Sequence, residues 1–217
     1  MIESAALSPE TLHDLRQAGR LVTYPRNRVI FHEGDESTHV LLVEEGEVKV
    51  TVTSETGYVC LLAIRGAGEL LGEFGVIDDS PRAATATTLT AVSAVFIPAA
   101  RFQALMAQAN VSGDLVRIVT SRVRESDRWR LQFGAYPATE RIVRVLVERA
   151  QRQQPDDGRG PNRTVSIYQQ DLAGAAGTSR ESVARTVRAL KRLKAIRTHQ
   201  GSITITDMDV LTRLLSP

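Results

Sequence analysis

Segment 70–88 places an acid and a base at a spacing suited to holding a phosphate beside a hydroxyl. Gly72 lets the backbone approach a ligand closely. Glu73 can accept a hydrogen bond from a hydroxyl, and Arg82 offers a forked cation for a phosphate. Ala83 and the alanine after it are small enough for their main-chain N–H groups to close on an anionic oxygen. From residue chemistry alone, the favoured interpretation is simpler: a β-hairpin in which Arg82 and Glu73 pair at the surface.

A second motif lies in segment 169–193 and predicts two helices joined by a tight turn. Small residues in the first helix allow a close approach of the second. Gly177 tolerates the left-handed conformation that such a turn requires. Ser179 is placed to cap the second helix. The predicted core face of that helix consists of Val183, Val187, Leu190 and Leu193.

The opposite face of the second helix is basic. Glu181, Arg185, Arg188 and Arg192 project from it, with Arg180 at its edge. Residues 179–199 contain seven Lys or Arg side chains and one acidic one. A basic face is usually just solvated, but this one is followed by a hairpin, AIRTHQGSITI, that completes a winged helix. The combination predicts DNA binding, in which Arg can grip guanine and Glu can accept from cytosine N4.

The elements around these motifs form two regions. From Val22 to about Pro98, short runs of Val, Leu, Ile and Thr separated by glycine turns predict a sandwich or barrel, with short helices at 7–18 and 99–109. The simplest interpretation of this region is a β-sandwich of no particular family. After Thr139 we predict a second domain with a polar loop at 155–163, a hairpin turning at Gln200 and a last helix at 207–215.

Residues 111–133 predict one long helix between these regions, which the Tyr136-Pro137 pair ends. An apolar stripe at heptad spacing runs along this helix and is interrupted by Arg130. Such a stripe suits packing on the chain's own barrel or pairing with a second copy equally well. It consists of Val116, Val119, Val123, Ser126 and Phe133, widened by Leu115, Ile118 and Trp129. The arginines of this helix are expected to form a solvated face: Arg122, Arg124, Arg128 and Arg130.

Composition excludes several classes of protein. The 217 residues are 42% hydrophobic and 24% charged, which excludes wholesale disorder. No apolar run approaches the ~18 residues of a membrane span, and the N-terminus is acidic where a signal peptide is basic, so we predict a cytoplasmic protein. Cys60 is the single cysteine and cannot build an iron–sulfur cluster. The histidines are expected at the surface: His13, His32, His39 and His199.

Charge divides unevenly along the chain. Residues 1–110 hold 8 Lys or Arg against 14 Asp or Glu, whereas residues 111–217 hold 19 against 11. This asymmetry is typical of an acidic module joined to one that binds a polyanion. No nucleophile–base set or metal-ligand cluster is visible, so we predict that the protein is not an enzyme.

Gly72-Glu73, followed after eight residues by Arg82-Ala83-Ala84, resembles the phosphate-binding cassette of cyclic-nucleotide-binding domains. The string PRAAT is similar to the form found in cyclic-nucleotide-dependent kinases and channels. Together with TSRESVARTV, nearly the whole chain resembles the CRP/FNR family of bacterial transcription regulators. The fold class implied is α+β: a cyclic-nucleotide-binding β-roll (jelly-roll barrel) over 1–110, a dimerisation helix and hinge over 111–136, and a winged helix-turn-helix over 137–217.

The resemblance implies a homodimeric, sequence-specific DNA-binding regulator controlled by a cyclic nucleotide, with cAMP favoured and cGMP open. Glu73 would bind the ribose 2′-hydroxyl, beside Gly72, while Arg82 and Ala83 would bind the cyclic phosphate. The adenine amino group is read in the family by hydroxyl residues of the long helix, one of them from the partner subunit. Ser126 keeps that hydroxyl and Asp127 departs from it, which leaves the purine open. No prosthetic group is implied.

On the DNA side, Arg180, Glu181 and Arg185 match the base-reading positions of family members that recognise TGTGA-type half-sites, which implies a TGTGA–N6–TCACA palindrome. RNA polymerase is a further implied partner, since loop 155–163 aligns with a polymerase-contacting surface; no membrane is implied. The alternatives are a member of the family that binds DNA without a nucleotide, and a cyclic-nucleotide-responsive regulatory subunit of another system. The predicted DNA-binding residues are Gln170, Thr178, Ser179, Arg180, Glu181, Arg185 and Arg188.

Overall fold

The computed structural model describes residues 6–55, 57, 59–152 and 163–215; the side chains of 128–130, 132, 133 and 152 are outside that description. The chain divides into two compact units, Met1–Arg128 and Trp129–Pro217. The division falls within a long helix. Each unit has its own sheet structure and its own buried side chains.

The first unit is the predicted β-roll, confirmed as two four-stranded antiparallel sheets with the orders β1-β8-β3-β6 and β2-β7-β4-β5. Its strands are β1 (Arg20–Tyr24), β2 (Val29–Phe31), β3 (His39–Glu45), β4 (Val48–Thr53), β5 (Val59–Arg65), β6 (Leu70–Leu71), β7 (Thr85–Thr88) and β8 (Val92–Pro98). Its helices are α1 (Pro9–Ala18), α2 (Glu73–Ile77), α3 (Ala99–Met106) and the part of α4 (Ala109–Ala135) that ends at Arg128.

Strand β3 separates two apolar cores because its side chains alternate between the faces of the sheet. Leu41 and Val43 belong to the core inside the roll. Val40 and Leu42 belong to the core beneath the helices, where they lie with Phe102 of α3. All four β3 side chains are fully buried, so this strand fixes both the roll and the layer of helices that covers it.

Helix α4 uses one face to pack on the roll and leaves another exposed. Leu115 and Ile118 join the core beneath the helices. By contrast Val116 is 66% exposed and Val123 55% exposed. The predicted stripe therefore divides: Leu115 and Ile118 pack on the chain's own roll, and Val116 and Val123 do not. The side chains of Trp129 and Phe133, which belong to the same prediction, lie outside the described residues.

The second unit has the predicted winged helix-turn-helix. Its elements are α5 (Ala138–Arg152), β9 (Arg163–Ser166), α6 (Gln169–Ala175), α7 (Arg180–Arg192), β10 (Ile196–His199), β11 (Ser202–Ile205) and α8 (Met208–Arg213). The three strands form an antiparallel sheet in the order β10-β11-β9. The predicted polar loop 155–163 lies outside the described residues, apart from its last residue, which begins β9.

One residue of α7 lies in a different environment from the predicted one. Leu193 was predicted on the core face of α7, and this is wrong: it is the C-cap residue and is 54% exposed. The chain turns there, so Ala195 and Ile196 are the next buried residues.

Within the described residues no three His, Cys, Asp or Glu side chains are grouped so as to hold a metal ion, and no helix is long and apolar enough to cross a membrane.

Candidate ligand site and DNA-binding surface

Arg82 lies inside the roll and is held by main-chain carbonyls. Its side chain is buried, and Nη1 donates to the carbonyl of Gly72 at 2.8 Å while Nη2 donates to that of His39 at 2.7 Å. The guanidinium lies 4.3 Å from the centre of the Phe31 ring. Burial lowers the pKa of Arg82 from its usual value, an effect that nearby Asp35 opposes. At neutral pH the side chain is therefore a buried, positioned cation.

The fork of Arg82 is only partly used. Its Nε–H is buried and has no hydrogen-bond partner among the described residues. Ala83 follows in an exposed position, and within the same described part of the chain no group accepts from its main-chain N–H. A buried donor without a partner is costly, by roughly 1–3 kcal/mol. An anionic oxygen is a suitable acceptor for either N–H group.

Gly72 is favoured by backbone conformation, and a side chain at this position would displace Arg82. Its φ of +76° lies in the left-handed region. A Cβ atom built on this residue would collide with Nη1 of Arg82. The glycine therefore allows the close approach that the sequence predicts, although in this structure the group approaching it is the Arg82 guanidinium.

Glu73 is buried and pairs with an arginine of the long helix. It begins α2, is 1% exposed, and forms an ion pair with Arg122 of α4. Arg122 also donates from Nη2 to the carbonyl of Leu70 at 2.7 Å. The surface hairpin with an Arg82–Glu73 pair is therefore wrong, because both side chains are buried and each has other partners.

Arg122 likewise does not belong to a solvated face, contrary to the prediction. Burial lowers its pKa to about 10, and the neighbouring Arg65 contributes to the lowering. Its guanidinium lies 5.2 Å from the centre of the Phe74 ring. Arg124, two residues along, is exposed as predicted. Helical spacing explains the difference, because positions two apart lie on different sides of a helix.

His39 is the other residue whose setting differs from the prediction of a surface histidine. Its ring stacks on Phe96 with centres 4.4 Å apart and meets Phe31 edge-on. Nδ1 lies 3.3 Å from Nη2 of Arg82. Burial, and secondly the charge of Arg82, lower the pKa of His39 to about 4. The imidazole is therefore neutral at pH 7 and packs beside the Arg82 guanidinium.

The structure brings together Gly72, Glu73 and Arg82, and adds Arg122 and His39, which sequence reasoning did not assign to this site. Ser126 and Asp127 lie further along α4 and are exposed. Ser126 is four residues after Arg122 and so lies on the same side of the helix. The site can hold an anion at Arg82 with a hydroxyl at Glu73.

The candidate DNA-binding surface is the exposed side of α7. Ser179 caps this helix by accepting from the N–H of Ser182 at 3.2 Å. Val183, Val187 and Leu190 are buried as predicted. The predicted contact residues other than Thr178, which is partly buried, are exposed: Gln170, Ser179, Arg180, Glu181, Arg185 and Arg188.

Within this surface Arg185 and Glu181 form an exposed ion pair, with Nη2 and Oε1 3.2 Å apart. An exposed pair of this kind contributes little to stability, roughly 0–1 kcal/mol. Both side chains can therefore exchange their mutual contact for base edges at low cost.

Arg141 holds the turn before α7 and was not singled out from the sequence. Its guanidinium donates from Nε to the carbonyl of Ala176 at 2.8 Å and from Nη2 to that of Gly177 at 3.0 Å. Nη1 donates to the carbonyl of Tyr136 at 2.8 Å. Gly177 adopts a φ of +55°, as the tight turn requires. One side chain thus connects the start of α5 to the helix-turn-helix.

Two family models match the chain. The cyclic nucleotide-binding domain model matches residues 21–109, and the Crp-like helix-turn-helix domain model matches residues 140–214. The first match contains the buried Arg82 and Glu73, and the second contains α7. Fold and site together define a transcription regulator that joins a cyclic-nucleotide-binding domain to a DNA-binding domain.

Similar proteins agree with this class. The chain is 26% identical over 208 residues to a CRP-like cAMP-activated global transcriptional regulator of Mycobacterium tuberculosis, covering 95% of this chain and 93% of that protein. It is 28% identical over 192 residues to a cyclic AMP receptor protein of Thermus thermophilus, covering 88% and 86%. The structure of a c-di-GMP responsive global regulator of Xanthomonas campestris has the same fold, with a TM-score of 0.75, 23% identity, and coverage of 91% and 99%. The chain belongs to the CRP/FNR family of transcription regulators.

Proposed function

We propose that this regulator is a homodimer whose affinity for DNA is set by cAMP bound in the β-roll. The observation that supports this best is Arg82, a buried cation whose Nε–H has no partner among the described residues and which directly precedes the exposed Ala83. Arg82 also donates to the carbonyl of Gly72, the residue before the buried Glu73. The cyclic phosphate would bind Arg82 and the N–H of Ala83. The ribose 2′-hydroxyl would donate to Glu73.

The choice of cAMP rests on the relatives. The proteins from M. tuberculosis and T. thermophilus are named for cAMP, whereas the regulator from X. campestris is described as responsive to c-di-GMP, so the fold alone does not select an effector. Ser126 would read the purine, with Asp127 accepting from the adenine amino group. Asp127 could accept from the guanine amino group as well, which makes cGMP the comparison ligand.

The proposed mechanism is a shift between two packings of α4. A ligand hydroxyl at Glu73 competes with Arg122 for the same carboxylate, so binding changes how α4 is held on the roll. A ligand can shift such an equilibrium only through its different affinity for the two states. The hinge at 134–137 would then reorient the recognition helices of the dimer to fit successive major grooves.

Titration calorimetry with cAMP, cGMP and c-di-GMP tests the effector. We expect cAMP to bind most tightly and to raise the affinity for a TGTGA–N6–TCACA duplex, measured by fluorescence anisotropy. A duplex with scrambled half-sites is the control. Tight DNA binding that no nucleotide changes would instead establish the alternative of a regulator without a nucleotide. That alternative has one observation in its favour, since both Nη groups of Arg82 are already bonded within the chain.

The recognition helix allows a separate prediction about sequence reading. Arg180 and Arg185 should each hold a guanine, and Glu181 should accept from the cytosine paired with one of them. Arg180→Ala should weaken binding by about 1–3 kcal/mol and relax the preference at one base pair. Arg188→Ala, further along the helix and positioned for phosphate, should weaken all sequences alike and flatten the salt dependence.

Selection of binding sites from random DNA, run in parallel on the wild type and both variants, measures this difference. Enrichment of a motif without the two guanines of TGTGA would refute the base assignment and leave the helix-turn-helix in place. RNA polymerase is a further proposed partner. The loop assigned to it lies outside the described residues.

A further inference from the structure

The strand that ends at Arg65 carries a second charge contact to α4, beside the Glu73–Arg122 pair. Arg65 is the last residue of β5, and its side chain is buried. Nη1 lies 3.2 Å from Oε1 of Glu69, and Nη2 lies 3.1 Å from Oε2 of Glu125 on α4. A single buried cation therefore bridges the roll and the helix.

The carboxylate of Glu69 is itself positioned by the main chain. Its Oε2 accepts from the N–H of Gly66 at 2.8 Å. This bond fixes one side of the Arg65 guanidinium relative to the turn after β5. The Nη2 side of the Arg65 guanidinium is then directed at Glu125. The Arg65–Glu125 pair specifies where along the roll this turn of α4 must lie.

The two contacts on α4 have opposite polarity. Arg122 of the helix meets Glu73 of the roll, and three residues later Glu125 of the helix meets Arg65 of the roll. Residues three apart are neighbours on one side of a helix. If α4 moved along its axis by about one turn, roughly 5.4 Å, Arg122 would face Arg65 in one direction of the shift, and Glu125 would face Glu73 in the other. Only one axial register satisfies both pairs.

We infer that Arg65 is a positioning residue for the purine end of the ligand site, because its pairing with Glu125 fixes the register of α4 against the roll. This inference rests on the proposed nucleotide function. Glu125 directly precedes Ser126 and Asp127, the proposed purine readers. When a ribose hydroxyl draws Glu73 away from Arg122, the Arg65–Glu125 pair is the contact that keeps these two residues at their distance from the base.

A double-mutant cycle of Arg65→Gln, Glu125→Gln and both together tests the inference on the full chain. The first readout needs no ligand: hydrogen exchange of the α4 amides at 118–127, followed by mass spectrometry. We expect each single variant to speed this exchange at least about tenfold, since Glu125→Gln leaves the buried Arg65 with only one of its two acidic partners, and Arg65→Gln leaves two partly buried carboxylates without their shared cation. The double variant should be affected clearly less than the product of the two singles.

The second readout is the ratio of the Kd values for cAMP and cGMP. We expect the single variants to change this ratio at least about threefold, because a misplaced Ser126 reads the purine differently. Two controls isolate this effect. Arg16→Gln breaks the exposed Arg16–Glu44 pair of the same roll, and Ile118→Val loosens the buried side of α4 without touching a charge. Neither control should change the ratio.

The outcomes are distinguishable. The inference is supported if hydrogen exchange is faster in both single variants and the effects are less than multiplicative in the double variant, and if the ratio of the Kd values for cAMP and cGMP changes. Unchanged exchange, purely additive effects, or a purine ratio that moves equally in Ile118→Val would overturn it. If the wild type binds neither cAMP nor cGMP, the proposed function fails, while the exchange experiment still decides whether Arg65 and Glu125 fix the register of α4.

Discussion

Arg82→Leu should abolish measurable cAMP binding by titration calorimetry. A charge-assisted contact to a phosphate contributes roughly 1.5–3 kcal/mol, which corresponds to a factor of roughly 10–150 in Kd. The loss should be at the upper end here, because the buried arginine is the cation of the cassette and its Nε–H has no other partner among the described residues. Leucine would leave the ligand phosphate desolvated and without a counter-charge.

The same substitution removes two hydrogen bonds, to the carbonyls of Gly72 and His39. Arg82→Leu should therefore also lower Tm. Arg82→Lys separates the two effects, since lysine keeps the charge but cannot donate to both carbonyls and a phosphate in the fork geometry of arginine. We expect this variant to fold and to bind cAMP at least about tenfold more weakly.

Arg28→Leu is the matched control. Arg28 is an exposed arginine of the same roll, so its loss changes the net charge equally without touching the cassette. Its cAMP affinity should equal that of the wild type. If Arg82→Lys, folded as judged by its circular dichroism and Tm, bound cAMP with unchanged affinity, the phosphate would have to lie elsewhere.

The fold was predictable because its determinants are local. Period-two alternation and glycine turns predicted a sandwich or barrel, and the resemblance to the CRP/FNR family specified the roll. Ser179, Gly177 and the spacing of Val183 and Val187 predicted the turn and α7. Leu193 shows the limit of this reasoning. Periodicity places it on the core face, but the helix ends one residue earlier, and helix ends are set by the packing of the segment that follows.

The ligand site was predictable only in part. The cassette residues lie within a dozen positions of one another, so their spacing was visible in the sequence. Arg122 and Arg65 were not assigned, because their partners are distant along the chain and their burial depends on how α4 packs on the roll. His39 was missed for the same reason. A histidine next to a strand of Val and Leu gives no sign of the two aromatic rings that enclose it.

The largest effect on DNA binding should come from disrupting the proposed dimer. Val116 and Val123 are seven residues apart on α4, and both are exposed in the single chain. Exposed apolar residues at heptad spacing are typical of a helix that pairs with a second copy. In a symmetric dimer each substitution removes two buried valines, and burying one valine contributes roughly 1.5–3 kcal/mol to the free energy of association. Val116→Asp combined with Val123→Asp should therefore yield monomers in analytical ultracentrifugation.

Operator affinity should fall with the dimer. Two recognition helices on one dimer bind the second half-site as an intramolecular event, and this gain in avidity is about 100-fold or more. The double variant should thus lose at least about 100-fold in affinity for the full palindrome, with little change for a duplex that contains one half-site. Because both valines are already exposed in the single chain, the fold of the roll should survive.

Leu21→Asp provides the control for these substitutions. Leu21 is 65% exposed on β1, so its replacement adds one aspartate, half the charge of the double variant, to a comparable apolar surface away from α4. It should remain dimeric and bind the palindrome as the wild type does. A valine double variant that sediments as a dimer would show that α4 is not the dimer contact, and the successive half-sites of the palindrome would then need another surface to hold two chains together.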